Sequence, residues 1–328
     1  MWLNERRGAF ASPSAMNTVK YQLRLRGLQT PDGTVRVRVL TGVLDRLLSF
    51  AERGLRLAIE GQSVKRGTLP SWIAKSVDMT VTGIQTGSTI LDIEAPMLGD
   101  TVGEQIRQQD FWVTPPSPSD TAFTLVVRSV NDATSEDLES EYYDGGVLES
   151  LRGMRSFVEG ENQFLELRAI DRPQEQFSLG RQEIERVDRL QVRTPVSQAF
   201  IVSGVLNAIE HSRRKFQLVV DQGQIIPGRV NEEFMSAEDM RHLWGRKVSV
   251  KGVVHFKPSG HVRLLDAHLL KPMESGEEIF GALPQAQTEA AFVRDVASPQ
   301  SQKDWLKDVW GQWPGDESME ELLADIEK

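Results

Sequence analysis

The sequence contains no cysteine. This absence excludes disulfide scaffolds, thiol nucleophiles, iron–sulfur clusters and zinc sites that are built on thiolates. The chain also lacks any stretch of roughly 20 apolar residues, so we expect no membrane insertion. Proline and glycine are sparse, with 15 and 26 of 328 residues, which excludes collagen-like and low-complexity chains. These features fit a folded, cytoplasmic protein.

Common enzyme motifs are missing as well. The chain has no glycine-rich dinucleotide motif, no P-loop, no H-E-x-x-H zinc motif and no G-x-S-x-G nucleophile elbow. An acidic run from Glu136 to Asp144 is interpreted as a solvated surface, which is commoner for such a run than a magnesium site. We therefore predict a non-enzymatic protein with no catalytic residue.

Histidine is confined to one part of the chain. Neutral imidazole is the commonest transition-metal ligand, so this clustering raises the hypothesis of a metal site. The spacing includes no close His-x-His or His-x3-His pair, which favours surface or loop histidines instead. We therefore predict no metal and no cofactor. The five histidines are His211, His242, His255, His261 and His268.

The charge is unevenly distributed along the chain. The formal net charge is -9, yet residues 196–272 hold 11 Lys and Arg against 7 Asp and Glu. Residues 273–328 hold 4 against 13. Bulk nucleic-acid binding of the histone kind is not expected for so acidic a chain, because the affinity of such binding comes from Lys and Arg neutralising phosphates. Local binding by the basic middle segment stays open.

The length suggests two domains and an appendage, at roughly 150 residues per domain. Residues 1–15 are predicted to be a disordered extension, with the first domain beginning at Met16. Over residues 16–172, alternation such as that of Tyr21–Arg26 predicts strands, and the apolar spacing of Val39–Ile59 predicts an amphipathic helix. We predict an α+β domain in which helices pack on an antiparallel sheet. Its further expected elements are a hairpin over residues 77–95, helices near 120–132 and 137–158, a strand at 164–167 and, as an alternative start of the first helix, a short strand at 35–39.

Residues 196–272 show the pattern of five strands with one helix between the third and the fourth. The helix is predicted to begin at Ser236, an N-cap followed by an acidic first turn, and to end at Gly245. This order resembles the OB-fold, a five-stranded Greek-key barrel that commonly holds nucleic acid on one face. The resemblance rests on pattern alone, and it implies a small OB-like β-barrel whose ligand face lies between two loops.

Both of those loops are basic in this chain, at residues 210–215 and 257–261. On the fourth strand, Ser249 and His255 share one side with two lysines, which gives a candidate groove for phosphates. The alternative is that these side chains are basic because they face water, and few aromatic residues fall on this face to stack bases. The predicted nucleic-acid contacts are Arg213, Arg214, Lys215, Lys251 and Lys257.

The acidic tail, residues 273–328, begins with a predicted linker at Met273–Gly281 and holds three of the seven tryptophans within nine residues. A capping box at Ser318 predicts a last helix with an apolar side. Tryptophan is enriched among the residues that dominate interface energies, so we predict that this tail binds a protein partner. The alternative is that the indoles pack on the chain's own barrel. The predicted partner-binding residues are Trp305, Trp310, Trp313, Leu322 and Leu323.

The segments Trp310–Glu317 and Glu320–Leu323 resemble the tails of small antitoxin-like proteins that are encoded beside PIN-domain ribonuclease toxins. The resemblance implies a tail that wraps and silences a nuclease. This chain is far longer than that family, and its tail lacks the arginine that commonly reaches the toxin's metal centre. The leading hypothesis is a non-enzymatic binding protein of the antitoxin or immunity type, with a PIN-domain nuclease as its partner. The alternative is a nucleic-acid-binding accessory factor that uses the basic loops of the barrel.

Overall fold

A computed structural model describes residues 16–28, 34–65, 67–85, 89–102, 116–210, 214–230 and 234–286. The predicted extension at residues 1–15 and the tail from residue 287 onward lie outside these ranges. The described residues contain helices, an antiparallel sheet and a closed five-stranded barrel, which confirms the predicted α+β fold class.

The first sheet has the strand order β2–β3–β1–β4–β5, and every neighbouring pair is antiparallel. In the central strand, Val19, Tyr21, Leu23 and Leu25 are buried in the core. Successive side chains of a strand point to opposite faces, so the residues between them form a polar outer face. The strands are β1 (Thr18–Arg26), β2 (Thr80–Gln85), β3 (Thr89–Pro96), β4 (Phe164–Ala169) and β5 (Gln176–Leu179).

Helices cover the apolar face of this sheet. In the longest of them, Val43, Leu47 and Phe50 recur at helical spacing and belong to the same core as β1. This helix ends at Gly61, whose positive φ of 79° lets its N–H donate to the carbonyl of Leu57. The helices are α1 (Val37–Glu60), α2 (Ser71–Val77), α3 (Leu98–Thr101), α4 (Ala122–Thr134), α5 (Gly145–Arg152) and α6 (Arg181–Arg193).

Two segments of the first domain differ from the sequence prediction. The alternating residues 35–39 form no strand, since α1 begins at Val37. The helix predicted over residues 137–158 is shorter, because Asp144 accepts a hydrogen bond from the N–H of Val147 and thereby starts α5. The acidic residues before it form turns between α4 and α5.

The first domain extends beyond residue 172, where the sequence prediction ended it. Strand β5 pairs with β4, and α6 follows β5. Phe177, Leu179, Ile184 and Val187 from these elements are buried in the same core as β1. The sequence did not indicate that α6 packs on this core, because the helix is rich in charged residues. Only every third or fourth residue of a surface helix faces the core.

The second sheet closes on itself. Its strand order is β10–β8–β7–β6–β9, and the pair of β9 and β10 completes the barrel. Strands β8 and β10 are parallel, and the other neighbouring pairs are antiparallel. This barrel is consistent with an OB-like fold. Its elements are β6 (Gln198–Glu210), β7 (Lys215–Val219), β8 (Ile225–Val230), α7 (Ala237–His242), β9 (Lys247–Phe256) and β10 (Val262–Pro272).

The segment after β10 packs against the barrel, in contrast to the linker predicted at Met273–Gly281. It contains a short 3-10 helix at Glu277–Phe280. The N–H of Asp221 donates to the carbonyl of Gly281 at 2.9 Å, and Leu283 contacts the barrel core. The first part of the predicted tail is therefore built into the folded barrel.

A buried polar network joins the central strand to α4. The hydroxyl of Tyr21 lies 2.7 Å from Oγ1 of Thr121 and donates to the carboxylate of Glu175 at 3.0 Å. Glu175 also accepts hydrogen bonds from Thr124 at 2.9 Å and from Arg172 at 3.1 Å. Burial raises the pKa of the Tyr21 phenol above its ordinary value. The phenol therefore stays protonated and keeps its role as a donor.

We expect Tyr21→Phe to lower the free energy of unfolding by about 2 kcal/mol, because Glu175 and Thr121 each lose a buried partner. Chemical denaturation of the full chain measures this loss. Tyr142→Phe is the matched control, since the Tyr142 hydroxyl has no hydrogen-bond partner among the described residues. Its effect should stay below about 0.5 kcal/mol. Equal losses in the two variants would contradict the proposed role of the Tyr21 hydroxyl.

Candidate functional site on the barrel

The predicted partner-binding residues lie outside the described ranges, so their role stays a prediction; they are Trp305, Trp310, Trp313, Leu322 and Leu323. The same holds for Arg213, in the connection between β6 and β7. Among the other predicted nucleic-acid contacts, Arg214 and Lys215 have interaction partners within the chain. Lys251 and Lys257 both lie on or next to β9 and differ sharply in their surroundings.

Lys257 contacts the acidic segment of the first domain. Its ammonium lies 3.5 Å from the carboxylate of Glu139, pairs with Glu141 and donates to the carbonyl of Glu139 at 3.1 Å. At the other end of the same loop, Nδ1 of His261 lies 2.7 Å from Glu139. Burial acts in the opposite direction, but hydrogen bonds from Ser259 and His261 lower the pKa of Glu139 below its ordinary value. The basic loop therefore holds the two domains together.

Arg263 of β10 binds the backbone of the same segment. Its Nη2 donates to the carbonyl oxygens of Tyr143 at 2.6 Å and Ser140 at 2.7 Å, and its Nη1 donates to that of Glu141 at 3.3 Å. The side chain is only 6% exposed, so these bonds form almost out of water. Hydrogen bonds from a charged donor are roughly twice as strong as neutral ones. The acidic run is thus a docking segment for the barrel, which corrects its interpretation as only a solvated surface.

A second contact joins the barrel to the end of α1. Arg229 of β8 donates to the carbonyl of Glu60, the last residue of α1, at 3.0 Å, and Asp266 holds the guanidinium at 3.2 Å. A cation is favourable there because the last carbonyls of a helix carry partial negative charge. A cleft of about 140 Å³ remains between α1 and the barrel, and Lys215 and Lys257 line it.

These contacts turn the predicted nucleic-acid face of the barrel toward the first domain. The loop at residues 257–261 is engaged with Glu139, and β7 and β8 line the cleft with α1. Ser249, which was predicted to share the phosphate groove, is only 2% exposed. Lys251 is exposed. The predicted groove is therefore interrupted at both of its ends by contacts within the chain.

The 3-10 helix covers Ser249 and forms a second charged network. The hydroxyl of Ser203 donates to the carbonyl of Glu277 at 2.8 Å, and that of Ser249 donates to its carboxylate at 2.7 Å. Lys271 lies 2.9 Å from the same carboxylate. Hydrogen bonds from the backbone of Glu274 and from Lys271 and Ser249 lower the pKa of Glu277 to about 2. The carboxylate is therefore ionised at neutral pH and fixes the segment after β10 on the barrel.

The outward side of β6, β9 and β10 carries an exposed apolar area, which we call the bulge surface. Ile201 of β6 and Leu269 of β10 lie opposite Lys251 of β9, one on each side. A bulge in β10 inserts His268 beside Leu269, and the ring of Phe234 lies 5.3 Å from that of His268. Ile201, Leu269 and Phe234 are 41%, 49% and 52% exposed. The bulge surface, made of these five residues, is apolar around a central cation.

The sequence pattern indicated Lys251 but not the apolar side chains around it. Ile201 and Leu269 lie in runs of consecutive apolar residues. In such a run the sequence does not show which side of the strand faces the core. A bulge shifts the inside–outside alternation by one residue, so a strict period of two misplaces the side chains beyond it. The local sign was the doublet Leu269-Leu270, which breaks the alternation of β10.

Other kinds of site find less support. Within the described ranges, no three carboxylate or imidazole groups converge on a position for a metal ion. The helices of those ranges include none that is long and apolar enough to cross a membrane. Comparisons with protein-family models, curated proteins and solved structures gave no match.

We expect Arg263→Gln to lower the free energy of unfolding by about 3 kcal/mol, because the buried carbonyls of Ser140 and Tyr143 lose a charged donor. Lys251→Gln is the matched control, since it removes an exposed cation from the neighbouring strand. Its loss should stay below about 0.5 kcal/mol. Urea denaturation of the full chain measures both values, and a loss for Arg263→Gln as small as the control's would contradict the docking role.

His255 of β9 is a partly buried histidine, and its surroundings predict how the stability of the protein depends on pH. Nδ1 of His255 lies 2.9 Å from Oγ of Ser197, and its buried Nε2 has no hydrogen-bond partner among the described residues. Burial lowers the pKa of His255, because the charged imidazolium is disfavoured away from water.

The unfolding free energy should therefore fall as the pH drops below about 6.5, since the unfolded chain then binds a proton that the folded chain resists. His255→Asn keeps a hydrogen-bonding side chain but does not titrate, so its stability should change less between pH 6.5 and 5. Denaturation curves at several pH values check this difference. Parallel pH profiles for the two proteins would show that His255 does not contribute.

Proposed function

We propose that this chain is a cytoplasmic, non-enzymatic binding protein that engages a protein partner, and that its barrel is OB-like. The observation that supports this function is the bulge surface. Scattered exposed apolar residues are normal on a protein, whereas a contiguous group of them is typical of an interaction site. Cross-strand pairing makes Ile201, Lys251 and Leu269 contiguous, and the bulge continues the group to His268 and Phe234.

The chemistry of the bulge surface defines the kind of segment that fits it. Lys251 has no carboxylate partner among the described residues, and apolar side chains flank it on both neighbouring strands. A partner segment with a carboxylate between apolar side chains would pair with Lys251 while covering Ile201 and Leu269. Such an apolar centre with a few polar contacts is typical of protein interfaces.

The tryptophan-bearing tail forms the second part of the proposal. Its resemblance to antitoxin-like tails supports a regulator of the antitoxin or immunity type, with a PIN-domain nuclease as its sharpest form. In this arrangement the tail would cover the nuclease while the bulge surface holds another part of it. Tryptophan and other large side chains at the centre of an interface carry much of its binding energy.

The test is co-expression of the tagged full chain with each reading frame that adjoins its gene. We expect one adjoining product to co-purify, and Leu269→Asp to weaken its binding at least tenfold, because the substitution places a charge in the apolar contact. Trp310→Ala combined with Trp313→Ala should weaken it to a similar degree. Isothermal titration with the purified partner measures these affinities.

Ile279→Asp is the matched control, since Ile279 is 77% exposed and lies outside the bulge surface. Its affinity should stay within about twofold of the unsubstituted chain. Failure of every adjoining product to co-purify would overturn the proposal. Equal affinities for Leu269→Asp and Ile279→Asp would show that the bulge surface takes no part in partner binding.

A further inference from the structure

Trp244 is a further exposed side chain of the barrel and does not belong to the bulge surface. Trp244 follows α7 and is 66% exposed, whereas the preceding Leu243 is 7% exposed and packs in the barrel core. The indole N–H of Trp244 donates to the carbonyl of Asn207 in β6 at 2.8 Å. This bond holds the indole in one position although most of its surface meets water.

The backbone around Trp244 is also held in place. The N–H of Gly245 donates to the carbonyl of Leu206 at 2.8 Å, and the N–H of Leu206 donates to the carbonyl of Arg246 at 3.0 Å. Gly245 has a φ of 71°, a conformation that glycine adopts without steric cost. Residues 241–247, which we call the Trp244 turn, are therefore fixed to β6 before any ligand arrives. A preformed site loses little conformational entropy on binding.

Three basic residues lie close to Trp244 along the chain in this turn. Arg241, Arg246 and Lys247 are all exposed, and no carboxylate of the described residues lies within ion-pair distance of them. The nearest acidic residues along the chain are Glu238 and Asp239, at the opposite end of α7, where Asp239 accepts the hydroxyl of Ser236. His242 adds a further exposed ring. Three unpaired cations in one short turn are a local exception in a chain whose net charge is -9.

We propose that the Trp244 turn is a binding site for single-stranded nucleic acid. A base stacks on the exposed indole, and neighbouring phosphates contact the guanidinium groups of Arg241 and Arg246 and the ammonium of Lys247. An aromatic platform beside cations is how single strands are held without sequence preference, because every base offers a flat face and every nucleotide a phosphate. A duplex keeps its bases stacked on each other and cannot use the indole in this way.

This site is independent of the proposed partner function and of the residues that sequence analysis assigned to nucleic acid. It lies at the start of β9, whereas Lys257 follows the end of that strand and is engaged with Glu139 and Glu141. The test therefore needs only the purified full chain. Its failure would leave the partner proposal untouched, and the reverse also holds.

The experiment is fluorescence polarisation with a labelled 12-nucleotide oligouridine at several salt concentrations. We expect a plot of log affinity against log salt with a slope of about -2, because three cations neutralise about three phosphates of a single strand. Trp244→Ala should weaken binding about tenfold without changing this slope, since it removes stacking but no charge. Arg246→Gln should make the slope shallower by about 0.7.

Two controls separate these effects from misfolding and from general charge. Trp244→Phe keeps an aromatic face, so its affinity should stay within about threefold of the unsubstituted chain and should rescue most of the loss in Trp244→Ala. Lys75→Gln removes an exposed cation from α2 in the first domain and should leave affinity and slope nearly unchanged. Thermal unfolding of each variant verifies that the barrel remains folded.

Three results would overturn the proposal. The first is no binding of the oligonucleotide at 50 mM salt. The second is equal affinity of Trp244→Ala and the unsubstituted chain, which would identify the turn as a general polyanion patch. The third is equal binding of the single strand and of the matching duplex, which would exclude stacking on the indole.

Discussion

The structure depends on one set of hydrogen bonds, those between the guanidinium of Arg263 and the carbonyl oxygens of residues 140–143. A buried cation is costly unless charge and hydrogen bonds compensate for its lost hydration. Here the compensation comes from the turn between α4 and α5, which presents its carbonyls to β10. Because that turn belongs to the first domain, the two domains cannot separate without exposing a buried charge and its acceptors.

Other charged side chains of the barrel also pair with groups of the first domain. Lys257 and His261 pair with Glu139 and Glu141 at the rim, where water weakens each pair but where several pairs act together. Arg229 meets the end of α1 on the other side of the cleft. The barrel thus uses the basic residues of one face to hold the first domain. Two exposed features of the described barrel residues lie outside these contacts, the bulge surface and the Trp244 turn.

These two surfaces differ in chemistry, and that difference separates the two proposals. The bulge surface is apolar around one lysine, which suits a protein segment with a carboxylate among apolar side chains. The Trp244 turn is cationic around one fixed indole, which suits phosphates and a flat base. Under the two proposals, a protein partner and a single strand would bind the same barrel at separate surfaces.

The sequence predicted much of the barrel because its strands and the cap of α7 depend on local patterns. Alternation marked the strands, and Ser236 caps α7 as expected, although the helix ends at His242 and not at Trp244, where the sequence predicted its last residue. The sequence predicted less of the first domain, where α6 has few apolar residues and α2 is short. The spacing of apolar residues is a weak predictor of such elements, because their position depends on packing against the core that they help to form.

What the sequence by itself determined is therefore the α+β class, the five-stranded barrel and the basic character of the middle segment. Only the tertiary structure decided which basic residues are exposed. Lys257 and Lys251 look alike in the sequence, yet one is paired with Glu139 and Glu141 and the other faces water between Ile201 and Leu269. The physical reason is that pairing across more than a hundred residues, and register between strands, depend on contacts that no local pattern encodes.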